Sequence, residues 1–170
     1  MTEVAKTEVA VLFVCLGNIC RSPTAHGVFE KRVAGEGLAS KIYIDSAGTG
    51  DWHLGEQPDP RTLLAGQQRG YDLSHLRARQ VKAEDFDLFD YILAMDRKNL
   101  ANLQQLKPRH FKGHLRLFLP FGRDLVDEVP DPYAGGTEGF EQVLDMVEQA
   151  AEGLLAHLCD AHLNEFPSSQ

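Results

Sequence analysis

The sequence predicts a single-domain α/β fold in which a four-stranded parallel sheet carries helices on both faces. Apolar β-branched runs alternate with amphipathic segments along the chain, and turn residues bound each run. No repeat or linker interrupts the 170 residues, a length that suits one domain. We expect this domain to span residues 1–170, with a folded core at about 8–164.

The first strand is predicted at 9–14, where six apolar residues run without a break, as in a strand buried on both faces. A helix over 22–37 follows, with Ser22 as its N-cap and Pro23 at its first position. Further strands are predicted at 41–48, 91–96 and 115–119, and further helices at 60–70, 97–106 and 137–163. Ligands of parallel sheets bind at the carboxyl ends of the strands, so the segment after the first strand is where a site is expected.

Charge and composition exclude several classes of protein. A net charge of -8 argues against broad nucleic-acid binding, which needs a basic surface. No apolar run could span a bilayer and the N-terminus lacks the basic region of a secretory signal, so we expect a cytoplasmic protein without membrane association. Three cysteines, Cys15, Cys20 and Cys159, do not form a disulfide framework, and no cysteine and histidine spacing indicates a metal. We expect neither a metal nor a cofactor.

The segment CLGNICRS, residues 15–22, has the composition of a cradle for a tetrahedral oxyanion. Gly17 and Asn18 tolerate unusual backbone angles, so successive N–H groups can curl around one anion. The N-terminus of the following helix adds positive charge, and the Arg21 guanidinium can bind two phosphate oxygens. The predicted phosphate-binding residues are Leu16, Gly17, Asn18, Ile19, Cys20 and Arg21.

Cys15 lies at the mouth of this cradle and is the candidate nucleophile. Thiols that face N–H groups, a helix N-terminus and an arginine ionise readily, and a thiolate attacks phosphorus while Arg21 stabilises the transition state. The attack expels an alkoxide or phenoxide, which a proton donor assists. Asp131 is the candidate donor, because Pro130 and Pro132 hold it in a stiff extended arm after the fourth strand.

Together these stretches resemble the low-molecular-weight protein tyrosine phosphatases over almost the whole chain. A Cys-x5-Arg motif directly after the first strand, with Asp-Pro-Tyr more than a hundred residues later, is strongly specific. The matching stretches are 11–23, 45–61, 78–81, 89–96 and 131–133. The resemblance implies that phosphotyrosine proteins or small aryl phosphates are hydrolysed without a metal, through a phosphocysteine on Cys15. It implies that Arg21 binds phosphate and that Asp131 acts first as acid and then as base.

The resemblance also implies supporting roles. Ser22 would hydrogen-bond Cys15, and Asn18 would hold the loop in its strained shape with help from Ser46. The slot for an aryl ring would be lined by Leu16, Ile19, Trp52 and Tyr133. A deep aromatic slot suits phosphotyrosine better than phosphoserine. Cys20 would form a reversible disulfide with the nucleophile and protect it from overoxidation.

One position departs from the family pattern. Relatives often place a histidine three residues before Arg79, where it supports Asn18. Here that position is Leu76, and His75 lies one place earlier. Either a one-residue shift preserves the contact, or Asn18 is braced differently.

The remaining polar candidates carry weaker expectations. Asp96 ends a strand at the active edge, where it could orient Arg21 or cap the next helix, and capping is the commoner role. Six histidines are expected at the surface without a function: His26, His53, His110, His114, His157 and His162.

Other functions remain as alternatives. An arsenate reductase on the same fold needs two further closely spaced cysteines, whereas only Cys159 follows Cys20. A nucleotide-binding loop needs a lysine that this loop lacks. A non-catalytic phosphopeptide-binding module could keep Arg21 but would tolerate loss of Cys15 or Asp131, so an enzyme is favoured. The oligomeric state stays open between a monomer and a weak dimer.

Overall fold

The computed structural model describes residues 7–123 and 126–163, which contain four strands and five α-helices. In chain order these are β1 (Val9–Cys15), α1 (Arg21–Gly35), β2 (Ile42–Gly48), α2 (Pro60–Gln68), α3 (Asp85–Leu88), β3 (Tyr91–Ala94), α4 (Arg97–Leu106), β4 (His114–Leu117) and α5 (Thr137–Leu158). A 3₁₀ turn at Leu119–Phe121 follows β4, and a π-helical turn at Cys159–Leu163 follows α5.

The four strands form one parallel sheet in the order β2-β1-β3-β4, which confirms the predicted α/β class. β1 is a central strand, and every one of its residues is buried, as its unbroken apolar run predicts. The chain runs from β1 to its neighbour on one side and later returns on the other side as β3. The carboxyl end of β1, where Cys15 stands, is therefore the point at which the strand order reverses and where a ligand crevice opens.

Helices cover both faces of the sheet, as predicted. Alternate side chains of β1 point to opposite faces. Phe13 belongs to the same buried cluster as Phe29 of α1 and Leu144 of α5. Leu12 belongs to the other cluster, with Leu103 of α4. The clusters packed on the two faces of the sheet thus hold β1 rigidly, which fixes the start of the loop that follows it.

The start of α1 differs from the prediction in a way that matters for the site. The helix begins at Arg21 with Cys20 as its N-cap residue, two positions before the predicted first residue Pro23 and the predicted N-cap Ser22. Ser22 is therefore inside the helix, and its hydroxyl lies 3.0 Å from the sulfur of Cys15 instead of capping the helix. Pro23 is the third helical residue, a position whose N–H has no partner within the helix.

Other elements also differ from the prediction. β3 ends at Ala94 and α2 at Gln68, each two residues before its predicted end. β4 ends at Leu117, because Leu119–Phe121 with its central proline forms the 3₁₀ turn. The short helix α3 escaped the sequence prediction, since four residues give no helical periodicity to detect.

α5 is an amphipathic helix of 22 residues that packs on the sheet and on α1. The apolar stripe predicted for it is buried throughout: Phe140, Val143, Leu144, Val147, Ala151, Leu154 and Leu158. Over the ranges that the structure describes, each helix is too short or too polar to cross a membrane.

Candidate active site

The cysteine loop, residues 15–21, joins β1 to α1 and is fixed through its carbonyl groups. The carbonyl oxygens of Cys15, Leu16 and Ile19 accept backbone N–H groups of the segment between β2 and α2, each at 2.9 Å. A trans peptide unit points its carbonyl and the following N–H in opposite directions. The next N–H groups along the chain therefore face away from that segment, and within residues 7–123 and 126–163 they donate to no protein acceptor. These free donors can bind an anion.

Asn18 braces the middle of the cysteine loop. Its φ of 59° lies in the left-handed region, which asparagine tolerates better than most residues. Its side-chain Nδ2 donates to the Ser22 hydroxyl at 2.8 Å, and its Oδ1 accepts the backbone N–H of Arg79 at 3.0 Å. The brace thus comes from Ser22 and Arg79, while His75 is exposed on the surface. Asn18 is held without the histidine that Leu76 replaces.

Ser46 does not support Asn18 as expected, because its hydroxyl lies 2.9 Å from Nδ1 of His26. Ser46 pairs with Phe13 in the register of β1 and β2, so its side chain points to the sheet face that α1 covers. The expectation of a surface position for His26 is also wrong, since only 6% of it is exposed. Its Nε2 lies 3.3 Å from the carboxylate of Glu30.

The sulfur of Cys15 is surrounded by hydrogen-bond donors. The backbone N–H of Asn18 donates to it at 3.3 Å, and the Ser22 hydroxyl lies 3.0 Å away. Asn18 Nδ2 donates to the Ser22 oxygen, so the hydroxyl hydrogen of Ser22 has two acceptors within reach, the Cys15 sulfur at 3.0 Å and the Ala47 carbonyl at 3.4 Å. Donors placed in this way stabilise a thiolate.

Arg21 is buried and held from behind by two acceptors. Its Nη1 donates to Oδ2 of Asp96 at 2.7 Å and to the carbonyl of Val129 at 2.9 Å. The other oxygen of Asp96 accepts the backbone N–H of Asn99 at 2.8 Å and caps α4, so Asp96 performs both roles that the sequence left open. On its other side, Nη2 of Arg21 lies 3.9 Å from Oδ2 of Asp131.

Most of the predicted site residues meet in one pocket of about 150 Å³ at the carboxyl end of β1. The pocket is lined by Cys15, Leu16, Gly17, Ile19, Cys20, Arg21, Trp52, His53, Asp131 and Tyr133. Asn18 and Ser22 lie buried beneath it and contact the sulfur. The Trp52 ring lies against Gly50, where a Cβ would come within 1.9 Å of a ring carbon. His53, expected at the surface without a role, is a wall residue whose only sequence signal is its place beside Trp52.

Comparisons with known proteins agree with this site. The family model of the low molecular weight phosphotyrosine protein phosphatases matches residues 10–164. The chain belongs to this family. A phosphatase of the same name from Schizosaccharomyces pombe is 48% identical over 135 residues, which cover 78% of this chain and 86% of that protein. A low molecular weight protein-tyrosine-phosphatase from Streptomyces coelicolor is 47% identical over 152 residues, covering 86% and 91%.

A solved structure confirms the family fold of this phosphatase. The crystal structure of a protein tyrosine phosphatase from Entamoeba histolytica, with Hepes in its active site, is 42% identical and superposes with a TM-score of 0.86. The superposition covers 89% of this chain and 97% of that one. The resemblance inferred from the sequence motifs is therefore confirmed at the level of family and fold.

The second cysteine of this phosphatase's pocket, Cys20, is a buried thiol. Burial raises the pKa of the Cys20 thiol to about 12. Its redox pairing with Cys15 stays a prediction.

We expect Cys15 and Cys20 to differ sharply in alkylation. Little of the Cys20 side chain is thiolate at neutral pH, because burial raises its pKa to about 12. Iodoacetamide should therefore modify Cys15 and leave Cys20 unmodified, which peptide mass mapping would measure. If inorganic phosphate binds over Cys15 as predicted, it should slow the modification of Cys15, and it serves as the control. Similar labelling of both residues would contradict the expected protection of Cys20.

Proposed function

We propose that this protein hydrolyses phosphotyrosine and other aryl phosphate monoesters through a phosphocysteine on Cys15. One observation carries the proposal: a sulfur surrounded by donors, a buried arginine and a carboxyl group face one small pocket with an aromatic rim. Membership of the phosphatase family supports the class of reaction.

In the first step, the Cys15 thiolate attacks phosphorus, and an S–P bond forms as the ester P–O bond breaks. Arg21 and the free N–H groups of the cysteine loop bind the equatorial oxygens, where they stabilise the charge of the transition state. Asp131, in its protonated form, gives its proton to the departing oxygen. The products of this step are a neutral phenol, the phosphocysteine and the Asp131 carboxylate.

In the second step, water attacks the phosphorus and the P–S bond breaks. The Asp131 carboxylate takes a proton from the attacking water, which restores its protonated form. The Ser22 hydroxyl, 3.0 Å from the sulfur, donates to the thiolate as it leaves. Inorganic phosphate then departs, and every proton that Asp131 gave has been returned.

The depth of the pocket favours an aryl ester over an alkyl ester. Cys15 is 3% exposed, whereas Trp52 and Tyr133 at the rim are 66% and 50% exposed. A phenyl ring can fill the space between the rim and the sulfur and pack on the aromatic side chains. The short arm of phosphoserine would bring the peptide backbone against the rim before its phosphate reaches the cradle.

The test measures phosphate release, in the presence of a chelator, from p-nitrophenyl phosphate and from two peptides that differ only in phosphotyrosine or phosphoserine. We expect turnover of the aryl phosphate and of the phosphotyrosine peptide, and little or none of the phosphoserine peptide. A folded protein that binds the phosphotyrosine peptide without hydrolysing it would overturn the proposal in favour of a phosphopeptide-binding module. Equal turnover of both peptides would overturn the proposed preference for aryl esters.

A further inference from the structure

Arg61, in the first turn of α2, joins the two loops that carry the reacting groups, although it lies outside the pocket and the mechanism above does not use it. Its Nη2 donates to the carbonyl of Tyr133 at 2.8 Å, and its Nη1 donates to the carbonyl of Gly135 at 3.3 Å. Both acceptors belong to the acid loop, residues 129–136, which carries Asp131 and leads into α5.

Arg61 is itself fixed to the cysteine loop through Asp59. Its Nε and Nη2 donate to the two oxygens of the buried Asp59 carboxylate at 3.0 and 2.9 Å. Hydrogen bonds from Arg61 lower the pKa of this carboxyl group, so Asp59 stays charged. The backbone N–H of Asp59 donates to the carbonyl of Ile19 at 2.9 Å. A chain of contacts therefore leads from the cysteine loop through Asp59 and Arg61 to the acid loop.

Asp131 lies between two anchors of the acid loop. On one side, the backbone of Val129 is bound to the residue after β3 at 2.8 Å and to Arg21 at 2.9 Å. On the other side, the loop is bound by Arg61. Asp131 itself is 47% exposed, and its Oδ1 accepts the N–H of Tyr133 at 3.1 Å. Since Arg61 holds the carbonyl of that same residue, a shift of Tyr133 would move the carboxyl group of Asp131.

The guanidinium group makes contacts that a simple positive charge would not. Four of its five N–H groups are used by Asp59 and by the acid loop. Its Cζ atom also lies 4.7 Å from the ring centroid of Phe140 and 5.5 Å from that of Tyr133. Lysine offers a point charge without this fork and plane, so the site is specific for arginine.

We propose that Arg61 is a positioning residue for the general acid, holding the acid loop at a fixed distance from the cysteine loop. The proposal rests on the proposed function, in which Asp131 protonates the leaving group. Proton transfer requires the carboxyl group to stay within hydrogen-bond reach of the departing oxygen. If one anchor of the acid loop is loosened, hydrolysis should slow most for poor leaving groups, which need protonation to depart. Phosphate binding in the cradle should be preserved.

The experiment compares Arg61→Gln and Arg61→Lys with a matched control, Arg69→Gln. Arg69 caps the other end of α2, where it is paired with Glu141, Asp145 and Glu148 of α5. Its replacement removes an ionic contact of the same helix without touching the acid loop. For each variant, kcat/KM is measured on aryl phosphates whose leaving groups range from acidic nitrophenols to phenol, together with the inhibition constant of inorganic phosphate.

We expect Arg61→Gln to lose about tenfold or more in kcat/KM on phenyl phosphate, and less than about threefold on the most acidic leaving group. The inhibition constant of phosphate should change by less than about threefold, since the cradle is intact. Arg61→Lys should show the same dependence of the loss in kcat/KM on the acidity of the leaving group, with a smaller loss. It replaces Arg61→Gln in the comparison if Arg61→Gln does not fold. Arg69→Gln should lose equally little on every substrate.

An equal loss on all leaving groups, or a loss that appears in phosphate binding, would overturn the positioning role of Arg61. Asp131→Asn is measured beside these variants to separate the two proposals. If the loss in kcat/KM depends on the leaving group in Asp131→Asn but not in the Arg61 variants, the Arg61 proposal alone is overturned. If the loss in Asp131→Asn does not depend on the leaving group, the role of Asp131 as the acid is overturned, and so is the Arg61 proposal.

Discussion

Replacing Cys15 with serine is expected to lower the hydrolysis of p-nitrophenyl phosphate by at least about 10⁴-fold, out of the 10⁶-fold or more by which enzymes accelerate reactions. A serine hydroxyl at this position is a weak nucleophile unless a base removes its proton. The hydrogen-bond partners of the Cys15 sulfur are the backbone N–H of Asn18 and the hydroxyl of Ser22, neither of which is a general base. The surroundings therefore offer a serine at this position no base to activate it.

The Cys15→Ser variant should still bind phosphate, because Arg21 and the N–H groups of the cysteine loop are unchanged. Steady-state turnover and the calorimetric affinity for inorganic phosphate measure the two properties separately. Cys20→Ser is the control, since it makes the same atomic change in the same pocket and should cost far less activity. Turnover by Cys15→Ser close to that of the unaltered protein would contradict the phosphocysteine mechanism. Loss of both phosphate binding and turnover would indicate that the cysteine loop has lost its conformation.

The parts of the fold and site that the sequence predicted are those set by neighbouring residues. The unbroken apolar run of β1 needs no distant partner to indicate a strand buried on both faces. The cysteine loop is contiguous from Cys15 to Arg21, so its seven residues can be recognised together in the sequence, and their role in binding an anion stays a prediction. The two prolines that flank Asp131 drew attention to it, and it does line the pocket, while its role as the acid stays a prediction. Family resemblance then supplied the slot residues, which no local pattern would have indicated.

The parts that escaped prediction depend on contacts between distant segments. The acceptors of Arg21, Asp96 and Val129, stand 75 and 108 residues away in the chain. The brace of Asn18 comes from the backbone N–H of Arg79, a donor that every residue except proline carries and that therefore leaves no mark in the sequence.

The histidines show the same limit. His26 looks like an ordinary polar residue on an amphipathic helix, and its burial depends on the partner that β2 presents to it. Ser46 faces that helix only because the register of β1 and β2 places it beside Phe13. A shift of one residue in that register would turn Ser46 to the opposite face, so neither its direction nor its partner could be derived from composition.

Replacing Asp131 with asparagine is expected to lower kcat/KM on phenyl phosphate by about 10²–10⁴-fold, the usual contribution of general acid catalysis. The amide has nearly the shape of the carboxyl group, and its oxygen can still accept the N–H of Tyr133, so the acid loop should keep its conformation. An amide cannot give up a proton to the leaving oxygen. The loss should therefore shrink as the leaving group becomes more acidic, because a nitrophenolate departs without protonation.

The same variant should also lower kcat on every aryl phosphate, since the carboxylate no longer accepts a proton from the water that attacks the phosphocysteine. Rapid mixing with a nitrophenyl ester would then show a burst of nitrophenol followed by slow turnover. Asp127→Asn is the matched control, because Asp127 lies on the same connection between β4 and α5, pairs with Arg97 at the surface and does not line the pocket. It should change each rate by less than about threefold. A leaving-group series in which Asp131→Asn runs parallel to the unaltered protein would remove Asp131 from the chemistry and leave the acid of this site to be found elsewhere.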